Sequence, residues 1–378
     1  EVNEMMKKLI KTILLITLTL SCSKISVVNR DGGKDASAQP QTKVTEQKKE
    51  LTLKEKVEKD LNSIKAETAV VPKKFVRVKN TKKVNKFCKK ISKKFLNYGW
   101  GHSRCNSFKW NHVRNSVWGD PLMWVTFGDE KAHKEKPKNM TMVLCGVHGD
   151  EITPVKFCYD ILHHLHNHLT EERLKDNLIV VVPVVNPDSF FKRWPTRTNA
   201  RGVDVNRNFP TKDWNKKAQK IWRTRYRKDK RRNPGKKSVS EPETLFQVNL
   251  IKRYKPNKII SVHAPLTIID YDGPTVSNLD FHSVAHKANN LLIQMSKKAK
   301  GYRIKNYPFF PGSLGNYAGN ERNIPTFTLE LPSSDNRRHK EFWGTFKSSI
   351  HYALFHAPMT NKIVLNEKSE DEEQKKSN

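Results

Sequence analysis

The chain has 378 residues, and its 71 Lys and Arg against 38 Asp and Glu give a formal net charge of +33. So basic a chain points to anionic partners: cell-envelope polymers, a membrane surface or nucleic acid. Its 5 cysteines form no C-x-x-C pair and offer no second metal motif.

Residues 1–22 read as an export signal, with translation expected to start at Met5 or Met6. Lys7, Lys8 and Lys11 supply a positive n-region, and Ile13 to Leu20 a short apolar core. That core falls short of the ~20 apolar residues a spanning helix needs. Ser21-Cys22 closes it and resembles a bacterial lipoprotein cleavage site, with Cys22 as the lipidation site. Thr19 departs from the leucine usual three residues before the cysteine. Ser23, where an aspartate would retain the protein, favours outer-membrane sorting by the same analogy. Residues 23–75 are polar and charged, too poor in apolar groups to offset chain entropy, and read as a disordered tether. Residues 76–115 form a basic extension holding Trp100 and Trp110, readable as a pro-segment, a flap or added packing. The charged tail, 359–378, reads as frayed.

Roughly 270–280 residues then remain for one α/β core, a size that suits a single domain. Met142 to Val147, Ile259 to Val262 and Thr326 to Leu329 are short apolar runs rich in β-branched residues, the pattern of strands buried on both faces. Helical segments are expected at 154–168, 243–254 and 283–300. Alternating strand and helix predicts one mostly parallel, mixed central sheet flanked by helices.

Each run ends in a group with metal chemistry. His148-Gly149-Asp150-Glu151 follows the first, His263 ends the second, and Glu330 ends the third. In open α/β sheets ligands bind beyond the carboxyl ends of the strands, so these distant residues are expected at one rim. Catalytic zinc takes three N/O ligands and keeps a fourth position open. His148, Glu151 and His263 are the expected ligands of one Zn2+, and Glu330 the base. The histidines from His163 to His168 are read instead as a solvated helix end favoured by the dipole. Cys145 and Cys158 are read as buried free thiols, and Cys88 with Cys105 as a candidate disulfide.

Asn186-Pro187-Asp188 and the stretch from Thr196 to Pro210, with its Asp204-Val205-Asn206-Arg207-Asn208 core, resemble the zinc carboxypeptidases of the carboxypeptidase A type. Ser240-Glu241-Pro242-Glu243, His263-Ala264-Pro265-Leu266 with Asp272-Gly273-Pro274, and Gly312-Ser313-Leu314-Gly315 narrow the resemblance to the murein peptide amidase branch, which cuts the γ-D-glutamyl–diaminopimelate bond. It spans 116–358 and implies a carboxypeptidase-like fold. Carried over residue by residue, it makes His148, Glu151 and His263 the zinc ligands and Glu330 the general base. Asn206 and Arg207 become the clamp for a substrate carboxylate, Asp204 the partner of a ligand histidine, and Ser313 part of the substrate pocket. Arg197 matches the arginine that steadies the oxyanion, with Arg193 and Arg201 close by. Tyr307 falls where the family's mobile tyrosine would, with Tyr317 in competition. The His-Ser-Tyr of the digestive enzymes is absent, which moves substrate choice away from ordinary protein C-termini.

A basic insert at 211–238 is expected near the site mouth. Between Lys212 and Lys237 thirteen Lys or Arg stand against two Asp, interleaved with Trp214, Trp222 and Tyr226. It reads as a solvated loop or as a surface for anionic cell-envelope polymers. Nucleic acid fits the composition, but the export signal removes most access to it. The resemblance implies a peptidoglycan-derived peptide as the partner, and the export signal leads us to expect membrane contact only through the lipid anchor, in the periplasm or outer membrane of a Gram-negative bacterium. Alternatives are a general peptide metallocarboxypeptidase, an N-acyl amino-acid deacylase of the same fold, or a non-catalytic wall-binding protein.

Overall fold

The computed structural model describes residues 73–274 and 283–356. The expected signal with Cys22, most of the 23–75 tether and the 359–378 tail lie outside the described residues. No described helix is long and apolar enough to cross a membrane.

One seven-stranded sheet has the order β1-β2-β4-β3-β5-β7-β6. The strands are β1 Asn111–Asn115, β2 Pro121–Phe127, β3 Asn139–Cys145, β4 Asn177–Val182, β5 Lys258–His263, β6 Ile268–Asp272 and β7 Thr326–Glu330. The central strands β4, β3, β5 and β7 run parallel, and β2 and β6 flank them antiparallel. The principal helices are α1 Lys82–Asn97, α2 Ile152–His168, α3 Pro242–Tyr254, α4 Val284–Lys298 and α5 His339–Phe355.

Strand geometry sends alternate side chains to opposite faces. Val143 and Cys145 of β3 and Ile179 and Val181 of β4 join the core under α1, α2, α4 and α5. Met142 and Leu144, with Leu178, Val180 and Val182, meet Phe246, Leu250 and Ile251 of α3. The three apolar runs are thus buried on both sides, as expected, and the ends of β3, β5 and β7 share one rim.

The extension is packing. Thr81 caps α1 by accepting a bond from Val84 N, and Val84, Phe87, Cys88, Ile91 and Phe95 enter the core. Cys88 bonds Cys105, 17 residues on, and Trp100 Nε1 donates to the Asn336 carbonyl at 2.9 Å.

Two expectations are corrected. Cys145 and Cys158 form a disulfide: α2 lies back against β3, and their side chains meet in the shared core. The histidines of α2 are not a solvated cationic end. His163 donates to the Ser103 carbonyl at 2.9 Å, and His166 stacks on Phe75. Burial pushes His163 down to about 4 and His164 to about 3, so both rings are neutral and packed.

Candidate active site

The turn after β3 carries His148 and then Glu151, which stands at the N-cap of α2. Its close descent onto the neighbouring turn needs a glycine: a Cβ on Gly149 would lie 2.5 Å from the Ser189 side chain. His263 ends β5 and sits in register with Glu330 at the end of β7, so two distant segments become cross-strand neighbours.

Both imidazoles turn Nδ1 to the same carboxylate. His148 Nδ1 lies 2.7 Å from Glu151 Oε1, and His263 Nδ1 lies 2.9 Å from Glu151 Oε2. Their Nε2 atoms are held from behind, His148 by Asp204 Oδ1 at 3.1 Å and His263 by Ser261 Oγ at 2.9 Å. One ligand atom from each of His148, Glu151 and His263 lies within 4.8 Å of the others, and all three are buried. Two fixed imidazoles and a carboxylate are a donor set that zinc takes, and the outer bonds orient the rings for it. Burial alone would favour a neutral Glu151, but His148 and His263 outweigh it and hold the carboxyl well below its usual range.

A cleft of about 650 Å³ opens beside this cluster, with Glu330, Arg197, Asn206, Arg207, Tyr307 and Ser313 among its lining. Burial raises the Glu330 carboxyl, and its Oε2 accepts from Leu266 N at 3.4 Å. Arg197 is the arginine drawn into the centre, with Nε 3.0 Å from Asp204 Oδ2 and Nη1 3.2 Å from Glu151 Oε1. Arg193 instead lies over Trp194, and Arg201 turns outward to the Ser240 carbonyl. Tyr307 lines the cleft, whereas Tyr317 is buried against Phe209 and Arg322.

Arg207 stands over the Phe310 ring, 4.7 Å from its centroid. Its Nη1 donates to the Asn206 carbonyl at 2.7 Å, and its buried Nε has no partner. Arg207 lines the cleft, and a guanidinium there is set for an anion. Asn206 lines the cleft beside it, its Oδ1 accepting from Leu314 N at 2.8 Å. The insert reaches the mouth as expected: Arg231 and Arg232 line the cleft, and Arg231 pairs with Asp150 at 2.7 Å.

Sequence reasoning passed over Ser261 and Asp150. Ser261 carries a readable signal, since a residue two before His263 on a strand shares its face. Asp150 carries none, because its partner lies 81 residues away.

With this geometry in place, comparisons with known proteins agree. The zinc carboxypeptidase family profile (peptidase M14) matches residues 102–354, more than half of the chain. Murein peptide amidase A of Escherichia coli strain K12 is 32% identical over 234 residues, 61% of this chain and 84% of that protein. The Vibrio campbellii protein of the same name is 30% identical over 224 residues, 57% and 77% respectively. The crystal structure of carboxypeptidase A from Helicoverpa armigera, 17% identical, aligns over 80% of each chain with a TM-score of 0.54 and shares the fold.

Proposed function

The chain belongs to the zinc carboxypeptidase family, and from that premise we propose that it hydrolyses an amide bond in murein peptides, between γ-D-glutamate and diaminopimelate. The observation that carries this reading is the juxtaposition of the His148–Glu151–His263 cluster with Arg207, which lines the same cleft. The names of the relatives supply the substrate class.

His148, Glu151 and His263 would hold the zinc ion, with Asp204 and Ser261 fixing the two rings. Bound there, zinc supplies Lewis-acid polarisation and acidifies a water molecule to a pKa of about 7. Glu330 takes the proton from the attacking water and returns it to the leaving amine. Arg207 fixes the free carboxylate of the leaving residue through charge-assisted hydrogen bonds. Arg197 keeps Nη2 free of hydrogen bonds with the described residues while Nε and Nη1 are anchored, which leaves a donor for the developing oxyanion. Tyr307 and Ser313 border the leaving residue.

The same reading places the protein outside the cytoplasm, anchored through Cys22. Its two disulfides support an oxidising compartment.

Mass spectrometry of defined muropeptides incubated with zinc-loaded protein tests the reading. L-Ala-γ-D-Glu-diaminopimelate is expected to release diaminopimelate, and Glu330→Gln to lose at least about 10²-fold in rate while retaining zinc. Full activity in that variant removes Glu330 from the mechanism. Cleavage of ordinary C-terminal peptides but no muropeptide moves the protein to the general carboxypeptidases.

A further inference from the structure

The basic extension ahead of the catalytic core carries a surface that the proposed chemistry does not use. From Lys73 to Gly119 the chain has fourteen Lys or Arg and no Asp or Glu, so no local acid offsets the charge. Half of it falls on α1, which precedes the region matched by the family profile. One face of α1 enters the core through Val84, Phe87, Cys88, Ile91 and Phe95. Helical spacing keeps Lys82, Lys83, Lys86, Lys89 and Lys93 off that face, and all five are exposed. Among the described residues, Lys90 is the α1 lysine with an ion-pair partner, Asp120.

Two tryptophans adjoin this stripe. Trp118 is 60% exposed and Trp194 76%, although rings of this size are mostly buried in a folded chain. Packing ties both to α1. Lys94 Nζ donates to the Lys192 carbonyl at 2.8 Å, and Lys192 Nζ lies over the Trp118 ring, 5.4 Å from its centroid. The next residue, Arg193, stands 5.5 Å from the Trp194 centroid. Lys90 crosses the Phe191 ring to reach Asp120, two residues after Trp118. The exposed lysines, Lys192, Arg193 and both indoles thus lie along one connected stretch of surface.

We propose that this surface seats the protein on an anionic phospholipid bilayer, with the lysines over the headgroups and Trp118 and Trp194 in the interfacial layer. Clustered Lys and Arg are drawn to anionic lipid, and indole, apolar with a single N–H donor, is a ring that the interface favours. A soluble polyanion would satisfy the lysines, but a bilayer also offers apolar depth to the two rings. The contact adds to the lipid anchor expected at Cys22, which precedes α1 in the chain. A basic surface beside an acyl anchor is the second signal that stable attachment takes.

Vesicle sedimentation tests this on the whole chain from residue 22 onward, carrying Cys22→Ala so that no acyl chain contributes. Binding is compared on phosphatidylcholine vesicles with and without phosphatidylglycerol at about 0.1 M salt. The anionic vesicles are expected to bind at least about tenfold more tightly, and glutamine at Lys82, Lys83, Lys86, Lys89 and Lys93 to remove most of that preference. The same change at Lys216, Lys220, Arg223 and Arg227 of the insert is expected to leave it within about threefold. Equal binding to both vesicles, or a preference lost with the insert and kept without the α1 lysines, overturns the proposal. Phospholipid brominated on its acyl chains then reads depth. It is expected to quench part of the tryptophan fluorescence of the bound protein, and Trp118→Phe with Trp194→Phe to abolish that part. No quenching, or quenching unchanged in the double variant, overturns the proposal and leaves a soluble anionic polymer as the partner. If the α1 variant fails to fold, judged by its zinc content, the quenching comparison decides alone.

Discussion

Asp204 shows how much one buried carboxylate can organise. It is fully buried and faces His148 Nε2, Arg197 Nε and Asn206 N. Burial opposes its ionisation, but Arg197 and His148 outweigh that and hold its carboxyl well below the usual range. It therefore orients a metal-facing ring, anchors the arginine proposed for the oxyanion, and fixes the backbone that presents Arg207. Asp204→Asn keeps the shape but removes the charge. Zinc affinity is expected to fall roughly tenfold to hundredfold, read by competition against a chelator. A variant that loses thermal stability at unchanged zinc affinity would give Asp204 a purely structural role. The metal-facing residues were legible in sequence because each follows an apolar run that only a buried strand explains.

At the level of elements, the strands were legible and the staples were not. β3, β5 and β7 announce themselves through dense apolar runs, and their shared rim follows from parallel order. The signal for α1 was also present: Val84, Phe87, Cys88, Ile91 and Phe95 fall at helical spacing and are all buried, the stripe a core-facing helix shows. The Cys145–Cys158 bond left no comparable trace, because it depends on how closely α2 lies against β3. Those two elements bracket the turn bearing His148 and Glu151, so the bond ties the metal loop at both ends. With its cysteines 13 positions apart, chain entropy predicts a contribution of about 3 kcal/mol. Replacing both cysteines by alanine is expected to lower the denaturation midpoint in urea accordingly. An unchanged midpoint would mean that the packing of α2 against β3 supplies the whole restraint.

Across the whole molecule, charge distribution bears on how an anionic peptide finds the cleft. The net charge of +33 is concentrated in part on the insert, where Lys216, Lys220, Arg223 and Arg227 are exposed. The insert is bound to the site's frame: Asp204 N donates to the Asn233 carbonyl at 2.8 Å, and Arg231 pairs with Asp150 on the metal loop. Exposed charges of this kind contribute little to stability individually, yet together they attract anions over about 10 Å at 0.1 M salt. For the murein tripeptide, kcat/KM is expected to fall as salt rises from about 20 to 500 mM, with kcat nearly constant, because screening acts on encounter and not on chemistry. Substituting those four residues by glutamine should flatten the salt dependence and leave zinc content and kcat in place. A salt dependence carried equally by the substituted protein would locate the attraction outside these four residues, at other screened charges near the cleft mouth such as Arg231 and Arg232.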